Sequence, residues 1–366
     1  MKRSIQIFMI LLLLVSCRRE EPVLGPAQTQ LEPVRSSLCS GFYLLNEGNM
    51  GSNKCTLDWF DFESGIYSRN IYPSRNPGVV KELGDVGNDI AVYGGKLYVT
   101  VNCSHLLEVM DAMTAVHKAA LSIPNCRSLA FDGGYAYVSS YAGPVELDPN
   151  ARRGYVAKVD TLTMQVVATC TVGYQPEEMA VVGRRMYVAN SGGYMAPNYD
   201  CTVSVIDLDS FTVVDEIEVA PNLNHLKAAP DGRLWLTSRG DYKAVGECLY
   251  VIEDTRVVAR LEVPCSQLCL SAGKAYVMGG FSFLKYDCKT LTFESDCFID
   301  MGMASGMEVP YGLAVNPENG DIYVSDAGDY VTPGMLYSFR SDGSLRWKVM
   351  TGDIPAHFAF LSLSRP

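Results

Sequence analysis

Apolar and polar residues alternate along this chain with a period of two, in short runs broken by Gly, Asn and Asp. That period marks strands whose side chains point alternately to opposite faces of a sheet. One run recurs seven times with an aromatic second residue: FYLLN, LYVTV, AYVSS, MYVAN, LWLTS, AYVMG and IYVSD. The aromatics Tyr43, Tyr98, Tyr137, Tyr187, Trp235, Tyr276 and Tyr323 are separated by 55, 39, 50, 48, 41 and 47 residues. A mean spacing of about 47 matches the repeat length of propeller blades. After each run comes a second strand, ending on an acid in LDWFD, LEVMD, VAKVD, VSVID, LYVIE and FLKYD and degraded in LYSFRSD, then a tight turn and a third strand. Before most of them lies another apolar strand: NDIAV, RSLAF, EEMAV, NHLKA, SQLCL and YGLAV.

The first unit lacks this leading strand, and a matching one, AHFAF, occurs at the other end of the chain. The pattern predicts an all-β fold: a seven-bladed β-propeller of four-stranded blades, closed by the C-terminal strand in blade one, over residues 39–366. Closing the ring removes the exposed edges of an open sheet.

Loop lengths distinguish the two faces. Turns between strands A and B (YGGK, DGGY, VGRR, PDGR, SAGK, PENGD) and between C and D (ESG, CKTL, SDGS) are tight hairpin chemistry on one face. On the other face lie the B–C loops. From blade aromatic to strand-C acid there are 18, 13, 23, 20, 18 and 11 residues in blades one to six, so excess length accumulates there. Long loops on a rigid scaffold commonly carry binding. Their residues supply Asn46, Asn49, Met50 and Asn53 in blade one, Asn102 and His105 in blade two, and Tyr141, Arg152 and Arg153 in blade three. Asn190, Tyr194 and Asn198 follow in blade four, Arg239 and Tyr242 in blade five, Phe281 in blade six, and Asp326 and Tyr330 in blade seven. Tyr gives rigid contact area with a hydroxyl, and Asn gives both a donor and an acceptor. On the same face the inner strands begin at His357, Asp89, Ser128, Glu178, His225, Gln267 and Gly312, preceded by Asn88, Arg127, Glu177, Asn224 and Tyr311. These are expected to ring an axial channel, with His357 beside Asp89 and His225 beside Glu178 as hydrogen-bonded or acid–base pairs.

Composition narrows the class. The chain has 366 residues, 48% apolar and 19% charged, with 21 Tyr, a formal net charge of −11 and a pI near 4.9. Such a surface repels phosphate backbones, so nucleic acid is not an expected partner. The N-terminus reads MKRSIQIFMILLLLVSC: a basic start, then an apolar core of eleven residues, too short to cross a membrane and suited to a signal peptide. LVSC resembles the bacterial lipobox. That implies a signal peptide over residues 1–16, a lipidated Cys17, and a tether over 17–38 whose RREE start resembles a surface-export tag. The expected location is the outer membrane, lipid-anchored and facing the exterior, with the membrane touched only through the anchor. Eleven further cysteines contain no CxxC pair and no His cluster, so neither a metal site nor a cofactor is expected.

With these repeats the chain resembles the YncE-like seven-bladed propeller lipoproteins over roughly residues 40–363. LLNEGNMGSN followed by LDWFD resembles the opening of a narrower group that includes the BtuG family. That resemblance implies a non-enzymatic surface protein that captures cobalamin or a related corrinoid and passes it to an outer-membrane barrel transporter. Related propellers also accompany glycan importers as interaction modules. A metal-dependent propeller lactonase or lyase, recruiting Asp89, Glu178 and Asn224, is a further alternative.

Overall fold

A computed structural model of the chain describes residues 23–79 and 82–362; the expected signal peptide and Cys17 lie outside the described residues. The recurring runs form seven antiparallel sheets. The inner strands are Pro355–Ser362, Gly87–Tyr93, Cys126–Asp132, Pro176–Val182, Leu223–Ala228, Gln267–Ser271 and Pro310–Val315, for blades one to seven. Each touches the next, and Pro310–Val315 touches Pro355–Ser362, so the ring closes. The C-terminal strand pairs with Cys39–Asn46, placing Ala359 opposite Tyr43 and completing blade one from the far end of the sequence.

The repeated residues have distinct jobs. The seven aromatics are all buried between blades. Opposite each, on the inner strand, stands a small residue in most blades: Ala359, Ala91, Ala130, Ala180 and Ala314. An alanine leaves room for a ring packed next to the crowded axis. Blades five and six depart from this, with Lys227 opposite Trp235 and Cys269 opposite Tyr276.

The strand-C acids close the C–D hairpins. One carboxylate oxygen of Asp111, Asp160, Asp207 and Asp287 accepts backbone N–H groups two and three residues on, at 2.8–3.2 Å. Four residues after each acid the chain turns through positive φ, at Ala115, Met164, Phe211 and Leu291. The side-chain bonds offset the cost of that conformation in a non-glycine residue. Hydroxyls two residues after the aromatic stitch neighbouring blades: Thr100 Oγ1 donates to the Arg127 carbonyl at 2.6 Å and Ser139 Oγ to the Glu177 carbonyl at 2.9 Å.

The described part of the stretch expected as a tether, residues 23–38, is docked on the propeller, where Asn70 Nδ2 donates to the Leu24 carbonyl. Ala27–Gln30 adds a fifth strand to the outer edge of blade one, paired with Ile66–Arg69. Beyond it Leu31 N–H donates to the Gly65 carbonyl and Val34 N–H to the Phe62 carbonyl, and Val34 is buried. The Glu318 carboxylate in blade seven then accepts the N–H groups of Ser37 and Leu38. The sequence points to a loose tether because residues 18–38 are polar with three prolines, and in the structure AQTQ is exposed at every position. Backbone pairing, with Gln28 and Gln30 side chains donating to Ser68 Oγ and the Ser64 carbonyl, holds this strand, and composition does not report such pairing. The eleven described cysteines are all free thiols.

Candidate functional site

In six of the seven blades the inner strand breaks register near the long-loop face. The shifts lie at Ala356, Asn88, Arg127–Ser128, Glu177–Glu178, Asn224–His225 and Tyr311–Gly312. A β-bulge leaves the extra residues unpaired and re-aims their side chains. Apart from Ala356 and Gly312, the residues freed in this way line a chamber of about 560 Å³ at the channel mouth. Asn88, Arg127, Glu178, Asn224, His225 and Tyr311 face it, with Glu47 and Arg239 from B–C loops and exposed Tyr194, Phe281 and Tyr330 at its rim. A second chamber, of about 520 Å³, opens toward the short-turn face, and the two share Glu178, His225, Gln267 and His357. The axis is thus a channel with a polar waist.

Charges at the waist are paired. His225 Nδ1 lies 2.7 Å from Glu178 Oε1, and Lys227 Nζ 3.0 Å from Glu178 Oε2, which also accepts the Leu226 N–H at 3.0 Å. Burial alone raises the Glu178 pKa, but Lys227 and His225 outweigh it and hold the carboxyl well below its usual range. The expected His225–Glu178 pair is therefore present. His357 is different: its Nε2 meets Glu47 Oε1 at 2.9 Å, while Tyr311 donates its hydroxyl to Glu47 Oε2 at 2.9 Å. Asp89, the partner expected for His357, instead accepts the backbone N–H groups of Ile90 and Leu129. Burial lowers the His357 pKa, but the Glu47 hydrogen bond and the charges of Glu47, Asp89 and Glu178 together raise it. For Asp89 burial dominates, and its pKa is raised.

A second layer supports the mouth. Arg127 Nε and Nη2 both donate to Glu177 Oε2, and Tyr141 donates its hydroxyl to Glu177 Oε1 at 2.5 Å. The Arg127 guanidinium sits 4.9 Å from the Tyr141 ring centroid, and Arg239 donates to Asn224 Oδ1 at 2.8 Å. Burial pushes the Glu177 pKa up, and Arg127 and Arg239 more than reverse it.

Fourteen of the residues singled out from sequence line the upper chamber: Asn88, Arg127, Ser128, Glu177, Glu178, Asn224, His225, Gln267, Tyr311 and His357 from the inner strands, and Tyr194, Arg239, Phe281 and Tyr330 from the loops. Asp89 lines the lower one. Tyr141 and Arg152 line a separate small pocket of about 100 Å³. The others do not reach the channel. Asn46, Asn102, Asn190 and Asp326 are buried at strand ends, where their side chains hold loops in place: Asn46 Nδ2 donates to Thr56 Oγ1, and Asn190 Nδ2 to Thr202 Oγ1 and Ser204 Oγ. Asp326 accepts the N–H groups of Glu308, Val309 and Gly328, and Asn102 Nδ2 donates to the Cys126 carbonyl. Asn49, Met50 and Asn53 belong to a loop fastened to Asp85 through the Gly51 and Asn53 amides. The exposed His105 ring accepts the Asn125 N–H, and Arg153 pairs with Glu216 at 3.5 Å. Asn198 is exposed, and Tyr242 packs edge-on against Tyr199. Sequence reading missed Glu47 and Lys227. Lys227 did carry a signal: it lies two residues after His225, at the position where most blades have Ala.

Solved structures share the architecture at low identity. A quinonprotein alcohol dehydrogenase-like protein from Bacteroides thetaiotaomicron aligns with TM-score 0.62 and 16% identity, covering 88% of this chain and 78% of that one. A hypothetical selenium-binding protein from Sulfolobus tokodaii aligns with TM-score 0.63 and 9% identity, covering 91% and 96%. The hydrazine synthase of Kuenenia stuttgartiensis aligns with TM-score 0.57 and 18% identity, covering 70% and 77%. At these identities the likeness is one of fold. No curated protein matches the chain. Residues 40–338 match the family described as a domain of unknown function, DUF5074, and the chain belongs to that propeller family.

Proposed function

We propose that this propeller is a lipid-anchored binding protein of the outer membrane that captures a small polar ligand at its long-loop mouth and delivers it to an outer-membrane barrel transporter. The favoured ligand is cobalamin or a related corrinoid. One observation carries the reading: a chamber of about 560 Å³ whose acids Glu47, Glu177 and Glu178 are already paired, with exposed Phe281, Tyr194 and Tyr330 at its rim. Paired charges supply a preorganised field, and rigid aromatics supply contact area at low entropic cost. A corrin is rimmed with amides and carries a phosphate. Asn88, Asn224 and Gln267 suit the amides, and the Arg239 guanidinium, 34% exposed, suits the phosphate. Arg239→Ala and Phe281→Ala are each expected to weaken cobalamin binding at least tenfold in calorimetric titrations. Unchanged affinity in both variants would move the ligand off this mouth.

Two imidazole–carboxylate pairs facing the same chamber, His357–Glu47 and His225–Glu178, favour a second reading, an acid–base enzyme such as a lactonase or lyase. His357→Asn separates the two. In a binding protein it leaves ligand affinity within a few-fold of wild type. In an enzyme it removes turnover while substrate still binds.

A further inference from the structure

The chamber on the short-turn face has no counterpart in the hairpin chemistry around it. Its lining is mixed: Leu268, Leu270, Val315, Phe358 and Phe360 give it an apolar side, and Asp89, Glu178, His225, Lys227 and Gln267 a polar one. Phe358, Phe360 and Leu270 are only half-buried, so they present apolar surface to its interior. At its inner end stands Lys227, 41% exposed, in a register position that is alanine in five other blades. At about 520 Å³ the chamber falls in the size range of small-molecule sites.

We infer that this chamber is a second ligand site, for a small amphipathic carboxylate whose head bonds the Lys227 ammonium and whose apolar body packs on Phe358, Phe360 and Leu270. An ammonium offers three N–H donors, and among the described residues Lys227 has one ion-pair partner, Glu178 at 3.0 Å. The two acids nearest the head position are engaged elsewhere. Glu178 is shared among His225, Lys227 and the Leu226 N–H, and Asp89 accepts two backbone N–H groups. A carboxylate entering from the short-turn face therefore meets an ammonium with N–H donors to spare, beside acids whose oxygens are already hydrogen-bonded. The apolar side, with Phe358, Phe360 and Leu270, suits a hydrocarbon or aromatic body. The site opens on the opposite face from the mouth chamber and meets it only at the waist residues Glu178, His225, Gln267 and His357, and the inference stands without the function proposed above.

The test is a titration of the purified chain with decanoate, and with decanol as its uncharged counterpart. Decanoate is expected to bind one to one and at least tenfold more tightly than decanol. Lys227→Met, which keeps the length of the side chain and removes its charge, is expected to cost decanoate at least tenfold and leave decanol unchanged. Leu270→Gln, on the chamber wall away from the waist, is expected to weaken both ligands. Equal affinity of wild type for the two ligands overturns the inference, even where Lys227→Met fails to fold. So does decanoate binding that survives both substitutions, or that is lost with Phe281→Ala at the opposite mouth.

Discussion

Arg127 and Glu177 join blade three to blade four at the channel mouth through two hydrogen bonds onto one carboxylate oxygen, at 3.1 and 3.0 Å. The side chains are 16% and 5% exposed. Removing one partner of such a pair leaves the other charge stranded, a loss of about 3–5 kcal/mol. Arg127→Met is expected near the lower bound, because Arg239 remains 3.5 Å from Glu177. The midpoint of denaturant unfolding, at unchanged slope, measures the loss.

The waist makes stability depend on pH from both sides. Glu177 and Glu178 have folded pKa values below the ordinary ~4.3 of glutamate. Their stabilisation is present above that value and is lost as pH falls toward the depressed folded pKa. His357 has the opposite sign. Its folded pKa lies above the ordinary ~6.5, so its contribution is full below 6.5 and is lost as pH rises through the folded value. These groups together place their joint maximum between about pH 4.3 and 6.5. Unfolding midpoints measured from pH 3 to 9 check this: Glu178→Gln should flatten the acid limb and His357→Asn the alkaline limb.

The blade-to-blade hydroxyls are expected to matter more than their size implies. Ser139 Oγ donates to the Glu177 carbonyl and accepts the Ser128 N–H at 3.0 Å, in a fully buried position. Ser139→Ala leaves both backbone groups unpaired, at a cost of about 1–3 kcal/mol. A midpoint shift indistinguishable from that of an exposed control, Ser341→Ala, would show that water replaces the hydroxyl.

How far the sequence carried the account depends on which signal each feature left. The propeller, its closure by Pro355–Ser362 and the tight turns were legible because burial between blades imposes the same aromatic and the same alternation seven times. The ring of channel residues was legible for the same reason, since Glu178, His225 and His357 at the waist and Asp89 below it hold equivalent repeat positions. The B–C loops were not, because residue type does not separate a contact from a clamp. Asn224 lines the chamber while Asn46, Asn102 and Asn190 are buried clamps at strand ends. His357 was paired with the wrong acid because Glu47 comes from a loop whose path the repeat does not fix.

The N-terminal arm is expected to behave as part of the propeller. Val34 is 3% exposed, and its N–H is held by Phe62. Hydrogen exchange should show the Leu31 and Val34 amides protected, and Val34→Asp should release the arm to proteolysis between residues 27 and 38 while the blades stay resistant. Rapid exchange of both amides in the wild type would contradict the docking.

The central claim is that the mouth chamber binds a ligand, and calorimetric titration of the purified chain with cobalamin tests it most directly. The account predicts one-to-one binding, no turnover, and a loss of at least tenfold in affinity with Arg239→Ala. An absence of heat at micromolar protein, confirmed by equilibrium dialysis, would contradict the ligand assignment. Binding that Arg239→Ala and Phe281→Ala both leave intact would contradict the site.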